Sequence, residues 1–404
     1  MKITYVIRNV YGIGGTIKTT IDSANALADR GHEVSVVSLM RHRADPQFPV
    51  RPSVKVSALL DVRPPRKGGE VLRGKNKKLS QLKSKALCDG VDAMNMKENS
   101  ALLDQRLERY LGRHDADVVV GTHAGINLVL AQMEERRQAV VGQEHMYYEQ
   151  YRKPVQAAMR RVYPALDALV VLTELDAEDY RRALPAVADR MEAIPNSIPR
   201  NEHPREEADP PHIMAAGRLA PMKRYDVAIR AFAHVADRFP EWRLRIYGKG
   251  KQRDELEALA AELGVGGRVE FMGAVSPLDV EWAKATVALS SAWKEPFGLT
   301  LVEAMAAGTP LVSTEVKYGP MSFIEDGYNG LLAPPQDPEA LGNALARVME
   351  DETLRKHLSE NGRAVAASFE PDKVVAQHED LFRRVAEANP PKPRPGLVAR
   401  LFGR

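Results

Sequence analysis

The 404-residue sequence predicts an α/β protein of two doubly wound, Rossmann-like domains. Three observations carry that prediction. Short, continuously apolar, β-branched runs recur from end to end. Helix-length segments separate them, and one proline-rich, charged break divides the series near its middle. Apolar strands alternating with helices are what parallel sheets covered on both faces require.

Before the break, the predicted strands are residues 3–7, 33–39, 118–121, 139–142 and 168–172, with a helix over 19–30. After it they are 213–216, 243–247, 269–272, 287–289 and 310–313, with helices over 225–239, 253–263 and 299–307. The break itself, residues 196–211 (NSIPRNEHPREEADPP), holds four prolines and no apolar period, and reads as a linker. An N-terminal domain is therefore expected over 1–195 and a C-terminal domain over 212–371. Past Asp337 only helical patterns remain, over 339–350, 353–367 and 372–387. The last helix, 372–388, is expected to pack back on the N-terminal domain, leaving 389–404 as a tail.

Composition bounds the function. With 44% apolar and 27% charged residues, the chain is neither disordered nor fibrous. No apolar stretch approaches the ~20 residues of a membrane-spanning helix. The start, MKITYVIRN, lacks the apolar core of a secretory signal. Cys88 is the single cysteine, which excludes an intrachain disulfide and a cysteine-based zinc site. A cytoplasmic protein is expected, peripheral at most to the inner face of a membrane. The net charge of +3 hides an asymmetry: residues 1–200 carry 31 Lys/Arg against 24 Asp/Glu, residues 201–404 carry 26 against 30. Residues 63–85 alone hold nine basic residues and one acid, Glu70. That run is either a solvated loop or a patch for anionic lipid or polymer. It has no aromatic residue for base stacking, so nucleic acid is not an expected partner.

In doubly wound folds, ligands bind outside the carboxyl ends of the strands, often at helix N-termini. Three stretches occupy such places. The first, YGIGGT at residues 11–16, follows the first strand; Gly14 and Gly15 would let backbone amides approach a phosphate, or simply make a tight turn. It is not a dinucleotide fingerprint, because Ile17 stands where a third glycine belongs. The second, AAGRLAPMK at residues 215–223, puts Arg218 and Lys223 at a strand end, where two cations suit a diphosphate. The third is the most specific: KEPFGLTLVEAMAA at residues 294–307, with Glu295 in a loop and Glu303 about one turn into the following helix. Amides of Phe297, Gly298, Leu299 and Thr300 at that helix start favour an anion.

Together the GIGG loop, the PNS turn at 195–197, GRL…K, YGKG at 247–250, FMG at 271–273 and EPFGLTLVEAMAAGTPLV resemble the retaining GT-B glycosyltransferases of family 4, in the family's order over residues 1 to about 386. The resemblance implies two Rossmann-like domains facing a central cleft, the first taking the acceptor and the second a nucleoside-diphosphate sugar, with UDP favoured. It implies that Arg218 and Lys223 hold the diphosphate, Glu303 the ribose, Glu295 the sugar, and that Gly14, Gly15, Gly248, Met272 and the 297–300 amides complete the donor cradle. It also implies a catalytic histidine after an N-domain strand, for which His145 in QEHM is preferred over His123 in GTHAG. No metal and no cofactor is expected. The segment 317–332 (KYGPMSFIEDGYNGLL) looks like the branch that glycosylates polyol-phosphate wall polymers.

The transferred sugar is expected to be a hexose or N-acetylhexosamine, and the acceptor a hydroxyl, polymeric or lipid-linked. Asp115 and Asp117 have the spacing of a metal-binding pair but precede a strand, where a solvated role is expected. No H-E-x-x-H, G-x-S-x-G or Walker A motif occurs. The rival readings are glycosylation of a small natural product, a nucleotide-sugar epimerase on the same scaffold, and a non-catalytic sugar-nucleotide-binding protein.

Overall fold

The structure, a computed structural model, describes residues 1–84, 100–133, 136–206 and 209–390. Cys88, the last lysine of the basic run, and the tail beyond residue 390 lie outside the described residues. The chain divides into two compact units, Met1–Ile194 with Val375–Arg404, and Pro195–Val374.

The first unit is built on strands β1 (Lys2–Ile7), β2 (Glu33–Arg41), β3 (Lys55–Asp61), β4 (Val118–Gly121), β5 (Ala139–Gln143), β6 (Ala168–Val171) and β7 (Met191–Ala193). They form one parallel sheet in the order β3-β2-β1-β4-β5-β6-β7. The second unit repeats the scheme with β8 (His212–Ala216), β9 (Arg243–Tyr247), β10 (Val269–Gly273), β11 (Val287–Ser290), β12 (Leu311–Thr314) and β13 (Leu331–Ala333), in the order β10-β9-β8-β11-β12-β13. This is the doubly wound architecture the alternating pattern predicts.

Central strands bury nearly every residue. In the first unit Val6, Val119, Val140 and Leu169 meet Leu107, Leu130 and Met159 from flanking helices. In the second, Ile213, Leu244, Val287 and Val312 meet Phe232 and Leu345. Burying each such side chain is worth about 1.5–3 kcal/mol.

Three strands were not expected: β3, β7 and β13. Each lies at a sheet edge. An edge strand covers one neighbour only, so it can be short or mixed in character. Lys55–Asp61 is mostly half-buried, and the other two are three residues long. The first helix also differs, running Gly15–Asp29 rather than starting at Thr19. Thr19 and Thr20 hydroxyls donate to the Gly15 and Thr16 carbonyls at 3.1 and 2.7 Å, so both hydroxyls are satisfied within the first turns of the helix.

Among the described residues of the stretch 196–211 there is no helix or strand, yet it does not hang free. Arg205 donates to the Ala285 carbonyl at 3.0 Å and the Glu206 amide to Ala283 at 3.1 Å, within the second unit. The final helix, Pro371–Ala388, belongs to the first unit from Val375 onward. Its buried stripe of Val375, His378, Leu381, Phe382 and Val385 has helical spacing. Phe382 meets Tyr5 edge-on, and Glu379 pairs with Arg30 at 2.7 Å.

Candidate active site

In the second unit the chain winds outward from β8 to β10, then returns to place β11 on the other side of β8. The loops leaving β8 and β11 therefore diverge, and a crevice opens between them at the carboxyl ends. The first loop is 217–223 and the second 291–298. They are stitched together: the Ser291 hydroxyl donates to the Lys223 carbonyl at 2.9 Å, and the Trp293 amide to the Met222 carbonyl at 3.1 Å.

Across this crevice the Lys223 ammonium and the Glu295 carboxylate form a direct, partly buried ion pair. Arg218 is exposed and has no partner among the described residues. Arg224 is committed elsewhere, to Asp226 and Gln336, each at 2.7 Å. Of the three cations in this stretch, Arg218 and Lys223 are thus the pair presented at the strand end.

The helix Leu299–Ala307 starts beside Glu295 and is capped by Gly298 in a left-handed conformation. Leu301 and Val302 amides turn back to the Gly298 carbonyl. Amides of Phe297–Thr300 take no protein acceptor among the described residues, the state of a helix start able to receive an anion. The Phe297 side chain faces the other way, packed with Phe323 and Phe369 at 5.6–5.9 Å between ring centroids. Glu303 lies half-buried one turn into the helix.

Gly248 serves by closeness. A Cβ there would sit 1.8 Å from the Gly217 carbonyl oxygen, so only glycine lets the loops after β8 and β9 touch. Its amide is spent on the Gly273 carbonyl at 2.7 Å. Met272 is exposed at an irregularity of the β9–β10 register, at the carboxyl end of the edge strand. Sequence reasoning missed Tyr225. Its buried hydroxyl has no hydrogen-bond partner among the described residues and lies 3.0 Å from where a Gly217 Cβ would stand, beside the Lys223 side chain. No periodicity distinguishes this tyrosine from an ordinary core residue.

In the first unit, Gly14 and Gly15 are exposed where the first helix begins after β1. His123 follows β4 and caps the helix Ala124–Ala131, its Nδ1 accepting the Gly125 amide at 3.1 Å. His145 follows β5, and among the described residues its buried Nε2 has no hydrogen-bond partner. Burial lowers both histidines to a pKa of about 4, so both are neutral at neutral pH. The fold accounts for His123 as a cap; His145 has no such structural employment.

Beside His145 lies a residue the sequence did not single out as functional. Glu144 is completely buried and accepts from Asn127 Nδ2 at 2.9 Å and from the hydroxyls of Tyr151 and Tyr163. Burial raises its pKa to about 7 against those three hydrogen bonds. Asp115 pairs with Lys2 at 3.1 Å and Asp117 accepts the Lys2 amide at 2.7 Å, as a solvated pair would. Among the described residues no cluster of three metal-ligating side chains exists.

Comparison with known proteins bears on these observations. Residues 199–365 match the family described as glycosyl transferases group 1, and residues 14–197 the glycosyl transferase 4-like domain. The chain is 35% identical over 387 residues to an exopolysaccharide phosphotransferase of Streptomyces coelicolor, covering 95% of this chain and 40% of that protein. It is 29% identical over 207 residues to a poly(glycerol-phosphate) alpha-glucosyltransferase of Bacillus subtilis, covering 50% of this chain and 31% of that protein. It thus spans less than half the length of either. A crystal structure of TarM from S. aureus, solved with UDP and alpha-GlcNAc-glycerol, superposes with a TM-score of 0.75 at 14% identity, over 95% of this chain and all of that one. That likeness is one of fold.

Proposed function

The chain belongs to the retaining GT-B glycosyltransferases of family 4, the glycosyl transferases group 1, and from that premise we propose that it moves a hexose or N-acetylhexosamine from a UDP-sugar to a hydroxyl of an anionic cell-surface glycopolymer. One observation carries the reading: Lys223 and Glu295 meet across the β8–β11 crevice, with Arg218 exposed on the same loop and unpaired among the described residues, and with helix amides of Phe297–Thr300 that take no acceptor among them. UDP is favoured because the TarM structure of the same fold holds it.

The chemistry follows from charge. As the bond from the sugar's C1 to the diphosphate breaks, its electron pair goes to the phosphate oxygen. Arg218, Lys223 and the amides of Phe297–Thr300 stabilise that oxygen where the charge develops. The acceptor oxygen bonds to C1 from the same face, and its proton passes to the departing phosphate. Glu295 holds the sugar and Glu303 the ribose, and His145 is assigned as the family's catalytic histidine.

The test is transfer or slow hydrolysis of UDP-hexoses, read as released UDP. With this charge compensation supplied by side chains and amides, EDTA is expected to leave most of the activity. A strict Mg²⁺ or Mn²⁺ requirement would overturn the clamp as its source.

The acceptor reading rests on the named relatives and on charge. The exopolysaccharide phosphotransferase is a protein of which this chain matches 40%, so its phosphotransfer is not carried over. What supports a polymeric acceptor is that one relative is named for exopolysaccharide and the other for poly(glycerol-phosphate), a phosphate-bearing polymer. Within the basic run, Arg63 is tied to Asp61 at 2.7 Å and Glu70 to Arg106. Arg66, Lys67, Arg73, Lys75, Lys77 and Lys78 are exposed and unpaired among the described residues. Lys75, Lys77 and Lys78 ride on Gly74–Gln81, a helix with no buried residue. Binding to polyanionic wall polymer or anionic vesicles is expected to fall steeply with salt, at about 1 kcal/mol per basic residue near such a surface. Neutralising Arg73, Lys75, Lys77 and Lys78 together should abolish most of it and leave donor hydrolysis unchanged. Parental binding by that variant would make the run ordinary solvated surface.

A further inference from the structure

We propose that Glu144 is a positioning residue that fixes the turn carrying His145 and ties it to the helix capped by His123. The inference rests on the sugar-transfer reading and deepens it. The turn after β5 is held at three points. Asn127 Nδ2 donates to the Gln143 carbonyl at 3.0 Å and to the Glu144 carboxylate at 2.9 Å. The same carboxylate takes the hydroxyls of Tyr151 and Tyr163, one on each oxygen. Tyr180 donates to the Met146 carbonyl at 2.8 Å. These attachments bracket His145 on both sides, and among the described residues its Nε2 has no partner of its own.

Asn127 carries the link to the second histidine. Its backbone amide bonds to the His123 carbonyl at 2.9 Å in the first turn of the helix that His123 caps. The sheet makes room for it: a Cβ on Gly121 would stand 2.2 Å from Asn127 Oδ1, and one on Gly142 3.3 Å from its Cγ. A fully buried acid is a costly way to hold a turn, since burial opposes its charge. Three donors on one carboxylate, however, define its direction closely, and a carboxylate held in this way rigidifies what it touches, even though Asn127 Oδ1 itself finds no partner among the described residues. Reacting groups misplaced by about 1 Å can lose 10²-fold in rate.

Glu144→Ala and Glu144→Gln separate positioning from folding. Alanine is expected to lower kcat at least about tenfold with UDP affinity unchanged, and glutamine, which keeps the shape and an acceptor, to stay within about threefold of the parent. Wild-type kcat in the alanine variant, or glutamine no better than alanine, overturns the proposal. Should alanine fail to fold, Tyr163→Phe and Tyr151→Phe each remove one bond and are expected to lower kcat several-fold; unchanged kcat in both overturns it. A readout independent of turnover distinguishes this from failure of the sugar-transfer reading. Diethyl pyrocarbonate labelling of His145, followed by peptide mass, should be slow in the parent and the glutamine variant and fast in the alanine or phenylalanine variants. Equal labelling in all overturns the positioning role even in a protein that transfers no sugar.

Discussion

Lys223→Ala is expected to lower turnover by about 10²–10³, the range for removing one preorganised donor from developing negative charge. The structure adds a reason why its loss should exceed that of Arg218→Ala. Lys223 is paired with Glu295, so its removal leaves a partly buried carboxylate uncompensated beside the diphosphate. A like charge there repels the leaving group as well as failing to hold it. Arg218 is exposed and unpaired among the described residues, and its loss removes attraction only. Arg218→Ala should leave the fold unchanged, because that side chain is exposed, whereas Lys223→Ala strands a carboxylate that is mostly covered and should lower the melting temperature as well as turnover. Initial rates with a UDP-sugar and melting curves of the two variants check this. Parental turnover in Lys223→Ala would remove it from the clamp.

Much of this was legible in the residues, for a physical reason. Central strands of a parallel sheet are apolar on both faces, so β1, β4, β8 and β11 announce themselves. The loops that leave them carry GIGG, GRL…K and EPFG in plain view. Edge strands are covered on one side only, and the half-buried β3 and the three-residue β7 and β13 escaped notice, whereas the edge strand β10 was found by its Val269, Phe271 and Met272. Pairing was hidden as well. Nothing in the sequence separation of Lys223 and Glu295 says that their side chains meet, or that Arg224 is drawn away by Asp226. The buried carboxylate of Glu144 was invisible because hydrogen-bond donors arrive from Asn127, Tyr151 and Tyr163, three separate segments. Periodicity reports which face is covered; it does not report what a buried polar atom touches.

The two glutamates should respond in opposite senses. Glu303 sits on the helix after the loop and is assigned the ribose, which changes little during reaction. Loss of such uniform binding raises KM with little effect on kcat. Hydrogen bonds to a charged acceptor are worth about 1.5–3 kcal/mol, so Glu303→Ala should raise KM about ten- to a hundredfold. Glu295 is assigned the sugar, where charge develops, and its loss should lower kcat by about 10². The ion pair sharpens the contrast. Without donor, Glu295 occupies the Lys223 ammonium, so a diphosphate must displace or share that partner. Glu295→Ala frees Lys223, and the affinity for UDP should be unchanged or higher while kcat falls. Titration of UDP against both variants, together with steady-state rates, separates the roles. Weaker UDP binding in Glu295→Ala, with a kcat defect in Glu303→Ala instead, would mean that the loop acid serves the nucleotide and the helix acid the sugar.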